Sequence, residues 1–537
     1  MKKLLFFAFL LSFSSYAQEE HAWIFFKDKP NVQQALENPS SILSPKAITR
    51  KSLRGTPIDV RDIPVNEEYI SIIKDYDGIS VKAKSKWMNC IHVIGSIQNI
   101  NSLSALDFVS EIEFANKTLS SRSQSQVARQ NNKLESNFDF NYGPAENQTS
   151  MLSTDFLHEN DFTGEGITIA VMDAGFPNVN SMATFERLRS QNKLLGGYDF
   201  PSRSNDFGNS NLNNHGTLVL ATMGGFKEES FTGTAPDASY YLFRTEVGAT
   251  ETPVEETYWV EAAERADSLG VDIINTSLGY TLFDNANYSY TPGDMDGNTT
   301  FISRGANIAT EKGMLVVTSA GNRGDENYFK IIGAPADANV LSVGAVTPNR
   351  EYAFFSSTGP SADGRIKPDV AAQGHQIVTV DQFDNLIQAN GTSFSSPILA
   401  GSIASLWQLN PEWTNLELMQ IVRESASTYS NPNSKLGYGI PNFRQIFLEF
   451  DDTLEDNEES EETLEFTLFP NPVQNTLRFS KPSGQNFDLT LFDSLGHVLL
   501  QKNNVQNEID LTGFSRGIYI VMFEQNNSRN SFLILKE

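Results

Sequence analysis
Across residues 151–450 two hydrophobic periods alternate. Ile167-Thr168-Ile169-Ala170-Val171-Met172 is an apolar run of strand length, residues 217–225 read as a small-residue helix, and residues 239–243 as another strand. Residues 255–269 place apolar side chains at helical spacing and stop at Gly270. Strand character returns at 271–274, a helix runs to Lys312-Gly313, and a strand follows at 314–317. Repeated strand–helix–strand units with buried apolar strands predict an α/β fold, a doubly wound, mostly parallel sheet with helices on both faces.

The flanks follow other rules. Residues 1–17 have a basic start at Lys2 and Lys3, a short apolar run, and Ser15-Tyr16-Ala17 before Gln18, the pattern of a cleaved export signal. The run is too short to span a bilayer comfortably. Residues 18–114 carry short strands such as 22–26 and 90–94 between helix-like polar stretches, a small α+β region. Residues 115–150 are rich in Ser, Gln and Asn and read as a linker. Residues 451–465 are acidic without Lys or Arg, so like charges favour an extended second linker. Residues 466–537 contain strands divided by Gly and Asn turns, a small all-β, sandwich-like module.

A chain of 537 residues exceeds one ordinary core, which agrees with this division. Its formal charge of -26 argues against nucleic acid, whose phosphates need a basic face. Cys90 is the single cysteine, so no internal disulfide forms; it reads as a small buried apolar residue.

Candidate chemistry gathers where strands end and helices begin, as a doubly wound sheet requires. Asp173 closes the 167–172 strand and is followed by Ala174-Gly175. His215 lies in Asn213-Asn214-His215-Gly216-Thr217, just before the small-residue helix. Ser393 lies in Gly391-Thr392-Ser393-Phe394-Ser395-Ser396-Pro397, ahead of the apolar run 398–406. Pro397 is expected within about the first helical turn, where a missing N–H costs least. Ser393 would then have free backbone N–H groups and a positive dipole end beside it. A hydroxyl nucleophile, a base and an orienting carboxylate are what peptide hydrolysis needs from a serine site.

Asp173-Ala174-Gly175, His215-Gly216-Thr217 and Gly391-Thr392-Ser393 resemble, in that order, the three signatures of the subtilisin-like serine peptidases. The resemblance implies a secreted serine endopeptidase acting through an acyl-enzyme, with protein or peptide substrates. It further implies that Asn322, in Ser319-Ala320-Gly321-Asn322, helps bind the oxyanion. Ser319, Ala320 and Gly321, together with Ser277, Leu278 and Gly279, would bind substrate. Gly233-Thr234-Ala235-Pro236 and Lys367-Pro368-Asp369-Val370 also fit, and the likeness spans roughly residues 151–439. Phe394 stands where Met is usual and Gln373 where Pro is common, which bears on pocket shape rather than on reacting groups.

Residues 18–114 loosely resemble the family's inhibitory pro-region, which would present its C-terminal segment to the cleft; a retained N-terminal domain is the alternative. Phe469-Pro470-Asn471-Pro472-Val473, Phe492-Asp493-Ser494-Leu495-Gly496 and Gly517-Ile518-Tyr519 resemble the type IX secretion C-terminal sorting domain of Bacteroidetes. That implies passage through periplasm and outer membrane, to the medium or the cell surface, with the type IX machinery as partner. No cofactor is expected for catalysis, and a monomer is expected.

Other features stay bland. Asp294-Met295-Asp296-Gly297-Asn298 has its Gly too early for an EF-hand and lacks the bidentate Glu, so it reads as a surface loop. Related peptidases bind structural calcium, but no ligand set is assignable from the sequence. His92, His158, His375 and His497 are isolated and form no metal-ligand pattern. Gly164-Glu165-Gly166 precedes a strand and is a turn; Tyr258 and Trp259 read as core. Two other function classes stay open, an inactive binding protein on this fold and a surface adhesin. Fluorophosphonate labelling of Ser393 separates the first from the enzyme, and deletion of residues 465–537 the second.

Overall fold
The computed structural model describes residues 19–119, 142–450, 467–480, 487–493, 498–505, 507–525 and 528–537. The export signal, residues 120–141 of the first linker, the acidic run, Ser494-Leu495-Gly496 and His497 lie outside them. Residues up to Phe447 form one compact unit and those from Leu448 another.

At the centre of the first unit is a seven-stranded sheet, every neighbouring pair parallel. Its order is Val370–Gln373, Leu341–Val346, Leu315–Ser319, Ile273–Thr276, Thr168–Asp173, Ser239–Arg244, Leu194–Asp199. The central strands are buried on both faces, which is why they read as unbroken apolar runs rather than alternating ones. Helices His215–Gly224 and Thr392–Trp407 share a core with one face, and Val254–Leu269 and Phe301–Glu311 with the other. Tyr258 and Trp259 are core, as expected. Gly270 ends its helix in the left-handed region at φ 83°. The chain runs outward from Thr168–Asp173 in one direction and resumes on its other side at Ile273–Thr276, so a topological switch lies between them.

The N-terminal region builds an antiparallel sheet in the order Ile79–Ser85, Cys90–Ser96, Glu19–Phe26, Val109–Phe114. It packs on the Val254–Leu269 and Phe301–Glu311 helices. Trp23 stacks on Phe301 at 4.5 Å and donates to Thr257 Oγ1 at 2.9 Å. Glu264 accepts from Ser85 Oγ at 2.6 Å and from the backbone N–H groups of Lys86 and Trp87 at 2.9 Å. Cys90 is free and fully buried.

Three expectations need correction. Residues 115–119 and 142–150 are not linker: Ala115 and Asn116 are buried and Lys117–Leu119 is a helical turn, and Gly143–Ala145 and Glu146–Ser150 are helical turns with Tyr142, Ala145, Gln148 and Thr149 buried. Their polar composition misleads because the amides act as backbone partners. Gln148 takes the Val378 N–H at 2.8 Å and donates to the Val378 carbonyl at 2.9 Å, and Asn147 donates to Gln373 at 2.6 Å. His92 is not isolated: its ring lies 2.9 Å from His21 and 2.8 Å from Thr257 Oγ1, a buried pair that sequence separation hid. Pro397 is the sixth residue of its helix rather than in the first turn.

The second unit has two antiparallel sheets around one core. Thr467–Phe469, Thr476–Ser480 and Glu508–Asp510 form the smaller; Val498–Val505, Phe487–Asp493, Gly517–Gln525 and Ser528–Lys536 form the larger, in that order. Val473, Leu477, Leu491, Val521 and Phe523 fill the space between them. Among the described residues no helix is long and apolar enough to cross a membrane.

Candidate active site
Asp173 is the last residue of its strand and fully buried. His215 opens the His215–Gly224 helix, which approaches the strand closely because two side chains are missing. A Cβ on Gly175 would lie 2.7 Å from the Asn213 carbonyl, and one on Gly216 2.6 Å from the Gly175 carbonyl and 2.9 Å from Asp173 Cβ. The closeness delivers the contact: His215 Nδ1 sits 2.8 Å and 3.0 Å from the two Asp173 carboxylate oxygens. Asp173 Oδ1 also accepts the Ala174 N–H at 2.7 Å, which holds the carboxylate in place. Burial pulls the imidazole pKa down, but the Asp173 charge and hydrogen bond outweigh it and leave the pKa raised.

Ser393 is the second residue of the Thr392–Trp407 helix, whose first turn leaves N–H groups without helical acceptors. The Phe394 ring, next along the chain, is 5.9 Å from the His215 ring, so the imidazole lies beside the serine turn. In this resting geometry the Ser393 hydroxyl donates to the Ser277 carbonyl at 3.3 Å, a long bond. Pro397 explains the reciprocal contact. In a regular helix residue 397 would bond back to the Ser393 carbonyl, but proline has no N–H. The freed carbonyl accepts the Ser277 hydroxyl at 2.8 Å instead, so the two serines clasp each other.

Asn322 is aimed by Thr392, whose backbone N–H and hydroxyl donate to Asn322 Oδ1 at 2.8 Å and 2.9 Å. With its oxygen occupied, the amide keeps its NH₂ on the side of Gly391. Ser277, Leu278, Gly279, Ser319, Gly321, Asn322 and Ser393 line one open pocket. Ala320 does not join them; it is buried with Ile332 and Ala336 behind the wall. Thr281, Arg323, Ile331, Gly333 and Ser357 complete the lining and were not legible, since they come from loops without a local pattern. Thr392 stood inside the Gly-Thr-Ser motif, but its hold on Asn322 needed the fold.

Among the described residues one trio of close carboxylates is found, Glu246, Glu251 and Glu255. It fits calcium poorly, because that ion needs six to eight oxygens at roughly 2.3–2.6 Å. Glu255 already accepts the N–H groups of Val247 at 2.8 Å and Thr252 at 2.6 Å, and Glu246 takes the Tyr280 hydroxyl. Burial first, then mutual repulsion, raises Glu246 well above the ordinary range; half-buried Glu251 and buried Glu255 rise to about 7. Asp296, in the loop at 294–298, is turned onto Asn298 and Thr299 of its own chain.

Residues 164–439, just over half of the chain, match the model of the subtilase family. Residues 21–133 match a peptidase S8 propeptide domain of Bacteroidota, and residues 467–536 a secretion system C-terminal sorting domain. Subtilisin E of Bacillus subtilis is 28% identical over 301 residues, covering 55% of this chain and 68% of its own. Subtilisin of Bacillus pumilus is 27% identical over 301 residues, covering 55% and 95%. A solved cold-adapted subtilisin-like serine proteinase is 24% identical at a TM-score of 0.40, covering 52% of this chain and 90% of that one. The chain therefore belongs to the subtilase family: it is a subtilisin-like serine protease with a propeptide domain before the protease and a type IX sorting tail that marks it for export to the surface or beyond.

Proposed function
We propose that this chain is an endopeptidase acting through an acyl-enzyme, with Ser393 as nucleophile, His215 as general base and then acid, and Asp173 as the group that fixes the His215 tautomer. The observation that carries this reading is the bidentate approach of Asp173 to His215 Nδ1, which leaves Nε2 free of the carboxylate on a ring that lies beside the serine turn. To give its proton to Nε2 the Ser393 hydroxyl would have to leave its long bond to Ser277; catalytic hydrogen bonds commonly form or tighten only when substrate binds. The oxyanion would take the Ser393 backbone N–H and the Asn322 NH₂, the second aimed by Thr392. Leu278 and Gly279 have backbone groups with no partner among the described residues, which suits pairing with an extended peptide. This route draws on side chains and backbone groups of the chain itself.

The activated enzyme tests it. Ser393→Ala should lower kcat by about 10⁶, and Asn322→Ala by about 10²–10³ with residual turnover, on the scale known for subtilisin. Equal and small effects from both substitutions would reject the assignment. The exported chain acts on protein substrates; an adhesive function of the tail has no observation in its favour.

A further inference from the structure
The side chain that precedes the cut must lie in the pocket beside Ser393. In the proposed mechanism Ser393 attacks the carbonyl carbon and Asn322 holds the oxygen. The side chain on the neighbouring Cα therefore enters the space that both residues line. That space is polar. Thr281, Ser319 and Ser357 bring hydroxyls to it, and only Leu278 and Ile331 bring apolar side chains. Thr281 and Ser319, each 5% exposed, have hydroxyls without a hydrogen-bond partner among the described residues. Ser357 Oγ accepts the Arg323 N–H at 3.1 Å and keeps its own proton to give.

One residue of the lining is charged, Arg323. It follows Asn322 directly, and its carbonyl accepts the Glu326 N–H at 2.9 Å, so its backbone is held on both sides. Glu326 occupies only part of the guanidinium: Nη1 meets the two carboxylate oxygens at 2.8 Å and 3.0 Å. Nε and Nη2 have no partner among the described residues, and two such parallel N–H groups form the edge that grips a carboxylate. The pair with Glu326 is 33% and 43% exposed and joins residues three apart, a weak class of contact. Glu251 also lies within reach of the Arg323 charge, yet neither carboxylate lines the pocket.

A carboxylate carried in by substrate meets this guanidinium where water has been displaced, so that contact is stronger than the exposed one to Glu326. The three hydroxyls supply further donors. A lysine or arginine in the same place meets a like charge, with no acidic side chain in the lining to offset it. We propose that Arg323 directs this protease to an acidic residue, glutamate or aspartate, on the acyl side of the bond it cuts. The inference rests on Ser393 and Asn322 acting as described under the proposed function.

The test uses the activated enzyme and peptides that differ only in the residue before the cut. Glutamate and glutamine make the decisive pair, because they match in size and differ in charge at about pH 8. The kcat/KM for glutamate should exceed that for glutamine by roughly tenfold or more, the scale of a hydrogen bond to a charged group. Lysine should be the poorest of the set. Arg323→Ala should bring the glutamate-to-glutamine ratio to about one, and Arg323→Glu should place lysine above glutamate. If Arg323→Ala does not fold, Arg323→Lys and Arg323→Gln take its place, the first keeping part of the ratio and the second losing it. Equal rates for the pair, a preference for lysine or a neutral residue, or a ratio that survives loss of the guanidinium would each overturn the proposal. Fluorophosphonate labelling of the same preparation separates this failure from a deeper one. An enzyme labelled on Ser393 that cuts without acidic preference loses only the role of Arg323. An unlabelled Ser393 with no hydrolysis of any peptide removes the endopeptidase reading and this inference together.

Discussion
The two ends of the seven-stranded sheet use their polar groups in opposite ways. At the base, buried Arg50, Lys51 and Lys312 are matched against Asp267 and Asp62. At the cleft end, polar groups are oriented but left partly free: Asn322 has its oxygen fixed and its NH₂ open, and Ser393 has only a long bond. At the base opposite charges hold one another, although Arg50 Nε, Asp62 Oδ1 and Asp267 Oδ2 are buried without a hydrogen bond; at the cleft end, donors held in place would meet a developing charge. The same parallel topology supplies both, because strand starts and helix C-termini meet at one end and strand ends and helix N-termini at the other.

The contrast can be broken at the base first. Asp267→Ala leaves two buried cations without their carboxylate and should lower unfolding free energy by about 3–5 kcal/mol in denaturant titration. Turnover per folded, activated molecule should stay unchanged; a fall in kcat without loss of stability would show the two ends to be coupled. A smaller effect is expected in the cleft from Ser277→Ala, which removes the hydroxyl that the freed Ser393 carbonyl accepts. The loss of one such bond is worth about 0.5–1.5 kcal/mol, so kcat/KM should fall by up to about tenfold.

A pH series sharpens the contrast further. Burial raises Glu251, Glu255, Glu256 and Glu264 each to about 7. The folded state therefore holds more protons than the unfolded state between about pH 4.5 and 7, and stability falls as pH rises through that window. His215, also raised, contributes stability that is present below its unfolded value near 6.5 and lost as pH rises through its folded value. Asp369, buried but held low by Lys367 and Arg423, acts the other way only in strong acid, whereas His21, His92 and His158, all pulled down by burial, oppose the four carboxylates below about pH 6.5 without matching them in number. The Ser393→Ala chain should thus melt at a higher temperature at about pH 5 than at about pH 8 by calorimetry. The reverse order would contradict these burial effects. Activity should follow the opposite course, rising with pH through the folded His215 value, because a general base in the proposed role must be neutral.

Much of this arrangement could be read before the fold was seen, and the reasons are local. A buried parallel strand must be apolar throughout, so 167–172 and 271–274 declared themselves, and residues at strand ends and helix starts pointed to Asp173, His215 and Ser393. What escaped depends on pairs distant in sequence. Gln148 looked like linker because its partner, the Val378 backbone, lies 230 positions away. The charged helix at Pro45–Leu53 carried no sign of its acceptors Asp267 and Asp272, and Ala320 sat inside the right motif while its side chain turned into the core. Pro397 was recognised but placed a turn too early, which concealed the Ser277 clasp.

In the proposed mechanism one hydroxyl among many is made nucleophilic by its neighbours. The direct test is to treat the activated, secreted enzyme with a fluorophosphonate and map the adduct by peptide mass spectrometry. A single adduct on Ser393, formed in step with loss of hydrolysis and absent from His215→Ala, is the predicted result. Complete inactivation with the label on another residue, or full hydrolysis persisting after Ser393 is labelled, would contradict it.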